Sequence, residues 1–80
     1  MAQISFDRCM QLIDACKKEE ILKPDPHHTD CVLEYDAKKG KWAVRPLLDV
    51  ILEVMSEREK RNELIEKLQE KTGKKFRFTL

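Results

Sequence analysis

CVLEYDAKKGKWAVR, residues Cys31 to Arg45, has a period of two on both sides of a short link. Cys31, Leu33 and Tyr35 alternate with Val32, Glu34 and Asp36, and Trp42 and Val44 alternate with Lys41, Ala43 and Arg45. Strand side chains point to opposite faces in turn, so each run reads as a strand with one buried face. The link AKKG ends in Gly40, where a positive φ costs little. Together these make a β-hairpin. Its larger apolar set, Cys31, Leu33, Tyr35, Trp42 and Val44, is expected to face the core.

Upstream, Phe6, Cys9, Met10, Ile13 and Cys16 recur at the spacing of one helix face. Ser5 is a good N-cap, Asp7 suits the positive end of the helix dipole, and Lys17 and Lys18 suit the negative end. Pro24 and Pro26 forbid continuation, so a helix is expected over about Ser5 to Glu20, with Ile21 and Leu22 tucking its exit against the core. A brief alternation at Ala2–Ile4 is a weak signal for a short edge strand.

Downstream, Pro46 ends the second strand and can open a helix. Leu47, Leu48, Ile51, Leu52 and Met55 form a broad apolar face for the main core helix. After the polar run SEREKRNE, Leu64, Ile65 and Leu68 resume the stripe, and Gly73 suits the position just past a helix end. One helix over 47–72 would be about 39 Å long against roughly 17 Å for a five-residue strand. A break or sharp kink is therefore expected near Ser56, where Ser56 and Glu59 have capping-box spacing. In the tail, Phe76, Phe78 and Leu80 alternate with Lys75, Arg77 and Thr79, which predicts a third strand. The expected fold is α+β in a single domain over 1–80. It has an N-terminal helix, a β-hairpin, one kinked or two consecutive helices and a C-terminal strand, with helices on one face of a mainly antiparallel three-stranded sheet.

Eighty residues make one domain at most, and a net charge of +1 selects no partner. Charge distribution says more. Residues 1–36 carry −4, residues 37–50 carry +3, residues 51–70 carry −2 and the tail carries +4. No apolar run reaches the 18 residues of a membrane span, so no membrane partner is expected. Asp7 and Arg8 interrupt any signal-peptide pattern, which points to a cytoplasmic protein. Cys9 and Cys16 lie about 10.5 Å apart along one helix, too far for a disulfide, so the three cysteines read as reduced.

KPDPHHTDC, Lys23 to Cys31, concentrates the residues that look like chemistry. His27, His28 and Cys31 are the candidate metal ligands, but a second ligand pair is missing. Cysteine catalysis by Cys31 lacks a glycine-rich oxyanion loop, and a core-facing thiol is inert. Two prolines and several Asp, His and Thr residues make a polar turn the stronger reading. No phosphate-binding glycine motif occurs, so neither a catalytic constellation nor a cofactor is expected. Glu57 with Arg61 and Glu63 with Lys67 stand in the favourable i,i+4 order of a solvated helix face.

Two binding readings follow. Lys38, Lys39, Lys41, Arg45, Lys74, Lys75 and Arg77 lie among aromatics and could grip a nucleic-acid backbone without reading its sequence. Alternatively, Leu64, Ile65, Leu68 and Phe78, with an edge strand, offer a surface to a protein partner or a second copy. A non-enzymatic adaptor or regulatory domain is the favoured reading, with weak nucleic-acid binding as the alternative.

Overall fold

The structure, a computed structural model, describes residues 4–78. Its elements run α1 (Phe6–Lys18), β1 (Leu22–Pro24), β2 (Cys31–Asp36), β3 (Lys41–Pro46), α2 (Leu47–Ser56) and α3 (Arg58–Thr72). The strands form one antiparallel sheet in the order β1-β2-β3. The helices pack on one of its faces, so the α+β expectation holds.

The third strand comes from a different place. Residues 75–78 form no strand, and Thr79 and Leu80 lie outside the described residues. Instead, Leu22–Pro24 pairs with β2, with Leu22 opposite Glu34 and Pro24 opposite Val32. The end of α1 explains how the chain turns so early. Glu20 takes a left-handed φ of 62°, the Glu20 N–H donates to the Lys17 carbonyl at 3.2 Å, and the Ile21 N–H donates to the Cys16 carbonyl at 2.8 Å. That pair of bonds closes the helix as a Schellman turn and sends Leu22 back across the sheet. Pro24 is tolerated because β1 is an edge strand. The weak edge-strand signal at Ala2–Ile4 falls mostly on residues 1–3, outside the described residues.

The local signals at the other helix ends hold with one exception. Ser5 caps α1, its Oγ accepting from the Arg8 N–H at 3.2 Å. Gly73 closes α3 at a left-handed φ of 70°, and its N–H reaches the Gln69 carbonyl. The chain breaks between α2 and α3 at Glu57, as the length argument requires. Ser56 does not cap α3; its Oγ donates back to the Leu52 carbonyl at 2.6 Å. Arg61 secures the joint. It is buried, and its Nη1 donates to the carbonyls of Val54 at 3.0 Å and Met55 at 3.1 Å. A cation there satisfies two carbonyls at the end of α2, the negative end of that helix. Arg61 is thus not the Glu57 partner that spacing alone suggests.

The core comprises Cys9, Leu12, Ile13 and Cys16 from α1, Leu22 and Val32 from the sheet, Val50, Ile51 and Val54 from α2, and Leu64 and Leu68 from α3. Phe6, Leu48 and Leu52, expected inside, are exposed. The sequence of α2 is apolar around most of its circumference, so spacing alone permits more than one buried stripe. Glu53 fixes the rotation by pairing with Arg45 on β3, which turns Val50 and Val54 inward. The Cys9 thiol donates to the Ile51 carbonyl at 3.6 Å, and burial pushes the Cys16 thiol up to about 12. All three cysteines are free thiols.

Candidate functional site

The hairpin fixes which side chains share a face. Tyr35 stands opposite Trp42, Leu33 opposite Val44, and Lys23 on β1 opposite Leu33. Directly paired residues of an antiparallel ladder point the same way, so these five occupy one face. Leu22, Val32, Glu34, Ala43 and Arg45 occupy the other, which meets the helices.

The face assignment is therefore the reverse of the expected one. Trp42, Tyr35 and Val44 are 39%, 43% and 57% exposed. Glu34 and Arg45 point inward. Arg45 grips Glu53 with both terminal nitrogens, its Nη1 lying 3.1 Å from one carboxylate oxygen, and it stands 3.5 Å from Glu34. Lys60 pairs with the other oxygen of Glu34 and lies 3.4 Å from Glu63. Arg45 beside Glu53 holds that carboxyl below the usual carboxylate range, chiefly through the hydrogen bond. A full set of partners is what makes burial of Glu34 tolerable.

On the uncovered face the Tyr35 and Trp42 rings meet edge to face, centroids 5.5 Å apart at 67°. The Lys23 ammonium sits 4.5 Å from the indole centroid and 4.0 Å from Glu20. Toward the end of α3, a recess of about 370 Å³ is lined by Ile21, Tyr35, Trp42, Lys67, Lys71 and the carboxylates Glu20 and Glu70. A single shallow recess beside two rings can seat one apolar side chain.

The predicted basic cluster is dispersed. Lys38, Lys39 and Lys41 stand exposed around the hairpin turn. Asp36 builds that turn: its Oδ1 accepts from the N–H groups of Lys38 at 3.0 Å and Lys39 at 3.3 Å, and Gly40 closes it at φ 66°. Arg45 is drawn inside and cannot serve the open face. Lys74, Lys75 and Arg77 lie in the exposed stretch after α3. There Phe76 and Phe78 pack edge to face at 5.2 Å, the Phe76 N–H donates to Gln69 Oε1, and Arg8 stands 5.8 Å over Phe78.

Of the predicted interaction stripe, Leu64 and Leu68 lie in the core, and Ile65 and Phe78 are partly buried against it. These four hold the domain together. The residues that do form an apolar surface, Leu33, Tyr35, Trp42 and Val44, are the ones whose alternation predicts an interior position.

Asp25 organises the His27–His28 turn. Its buried carboxylate accepts from the His27 N–H at 2.9 Å and contacts His28 Nδ1 at 3.2 Å. The His27 N–H is the main cause of its lowered pKa. The rings of His27 and His28 do not converge on Cys31, whose Sγ lies 3.8 Å from Asp30. Partial burial and then the Asp30 charge raise the Cys31 thiol, the opposite of what a nucleophile requires. No cluster of three or more His, Cys, Asp or Glu side chains able to hold a metal occurs among the described residues, nor is any described helix long and apolar enough to cross a membrane.

Compared with known protein families, curated proteins and solved structures, the chain matches none.

Proposed function

We propose that this chain is a non-enzymatic protein-interaction domain, working in the cytoplasm, that docks a partner on the uncovered face of its sheet. The observation that carries the reading is the contiguous block of half-buried Leu33 with exposed Tyr35, Trp42 and Val44 on the sheet face opposite the helix-packed one. Covering two rings and two aliphatic side chains supplies the apolar burial on which association depends. Tyr and Trp are also the residues that most often anchor protein interfaces.

A photo-cross-linking amino acid at position 44, with the same group at position 66 on exposed α3 as control, tests this in cell extract. The expected result is a discrete protein adduct from position 44 that survives nuclease treatment and disappears when Trp42→Ser is added. Equal labelling from both positions, or adducts that nuclease removes, would overturn the reading.

Nucleic-acid binding is the second reading, and the exposure of Trp42 and Tyr35 beside lysines favours it. Two observations weigh against it. Lys23 covers the indole ring, and Arg45 is neutralised inside the fold. Trp42 emission titrated with single- and double-stranded oligonucleotides at low salt decides the matter, because phosphate contacts are strongest there. No response at low salt eliminates nucleic acid, whereas a response that weakens steeply with added salt displaces the first reading.

A further inference from the structure

We propose that the free edge of β3 takes an extended segment of another protein, pairing as a fourth strand, and that this segment carries acidic side chains at the end that meets the 38–41 turn. The inference rests on the protein-docking reading above; it specifies how the partner lies and what it carries.

The backbone supplies the first reason. β3 is the last strand of the sheet, and among the described residues it packs mainly against β2 and α2. Every second residue of such a strand aims its N–H and C=O outward, which is a template for an added strand. Pro46 has no N–H and α2 begins at Leu47, so the usable edge is Lys41 to Arg45. That length suits a short linear segment.

The side chains supply the second. Trp42 and Val44 lie on the open face along this edge, and both are exposed. An added strand would set its own alternate side chains beside them, the arrangement in which cross-strand pairs stabilise a sheet.

Charge identifies the occupant. Lys38, Lys39 and Lys41 make no ion pair among the described residues, while the nearby Asp36 carboxylate is engaged by two backbone N–H groups of the turn. Three cations against the single carboxylate of Asp36, which stands opposite Lys41, leave this end of the edge net positive and call for acids in the partner. A second copy of this edge does not provide them, since residues 37–45 contain no Asp or Glu.

The full chain panned against a phage-displayed library of random dodecapeptides is the test, followed by titration of each selected synthetic peptide against Trp42 emission. Selected peptides are expected to alternate apolar residues and to carry Asp or Glu toward one end. Joint reversal of Lys38→Glu, Lys39→Glu and Lys41→Glu should weaken binding at least tenfold while the circular dichroism stays unchanged. N-methylation of alternate peptide nitrogens should abolish binding in one parity and spare the other. Peptides without acid enrichment, affinity that ignores the parity, or burial of Trp42 by the chain alone as concentration rises would each overturn the inference. Peptides that ignore parity yet lose binding on Val44→Ser sink strand addition alone and leave docking on this face standing. Failure to select any peptide, together with no specific adduct from position 44, sinks both.

Discussion

The two faces of the sheet contrast in a way their composition does not foretell. The inner face contributes Glu34 and Arg45 to the interior, while on the outer face Tyr35, Trp42 and Val44 stand exposed beside a half-buried Leu33. Burial follows partners rather than polarity. Glu34 and Arg45 find Lys60 and Glu53 on the helices, so their charges are matched where water is excluded. Among the described residues only the end of α3 approaches Tyr35 and Trp42, at one side of the outer face, and the exposure of Tyr35, Trp42 and Val44 is what makes that face available to a partner.

Breaking the inner face should therefore cost far more than breaking the outer one. The largest effect is expected from Glu34→Ala. The Glu34 side chain is 9% exposed and that of Lys60 12%, so removing the acid leaves a nearly buried cation short of its partner. A loss of about 3 kcal/mol in urea unfolding is expected. Replacing both partners by apolar side chains, Glu34→Leu with Lys60→Met, should restore most of it, because matched removal leaves no orphaned charge. If the double variant is as unstable as the single, the pair is not what holds this face down.

Arg61 extends the rule to the helix joint. Arg61→Met keeps the aliphatic stem but strips the donors from two carbonyls, and should cost about 2 kcal/mol by thermal or chemical unfolding. Arg61→Lys should recover part of that, by supplying charge without the fork.

Acid sharpens the comparison. The carboxyls of Glu53 and Asp25 are held below their ordinary values in the folded chain, by the Arg45 hydrogen bond and the His27 N–H respectively. A depressed carboxylate stabilises fully above its unfolded value, and that contribution is lost as pH falls through the folded value. Stability should accordingly fall below about pH 4.5, near the unperturbed carboxylate range. Glu53→Gln should flatten this fall, and Trp42→Ser should leave it unchanged.

Much of the chain was legible in its sequence for local reasons. Ser5, Gly40 and Gly73 act within a few residues, and each does what its chemistry dictates. The break near Ser56 followed from length alone. Errors arose where the decisive contact is distant in sequence. Period two sorts Cys31–Asp36 into two sets but does not say which set faces inward; Lys60, 26 residues beyond Glu34, settles that. The rotation of α2 depends likewise on Glu53 reaching Arg45. The tail alternates as a strand would, yet the place beside β2 goes to Leu22–Pro24, delivered there by the turn at Glu20. The outer surface and the inner face depend on the same choice, since exchanging the two alternate sets exchanges both faces.

The smallest effect belongs to the outer face. Val44→Ser should change unfolding free energy by no more than about 0.5 kcal/mol, as surface positions do, and Trp42→Ser should cost about 1 kcal/mol through its ring contacts with Tyr35 and Lys23. A loss several times larger at either position would mean that this face is covered in the isolated chain.

Trp42 is the protein's single tryptophan, which makes its fluorescence a direct reading of the outer face. In the folded chain at low concentration, acrylamide should reach the indole, and the emission maximum should lie only modestly to the blue of the urea-unfolded chain, because Tyr35 and Lys23 cover part of the ring while the rest stays exposed. A strongly blue-shifted emission that resists acrylamide under those conditions would place the indole against the helices and contradict the open sheet face.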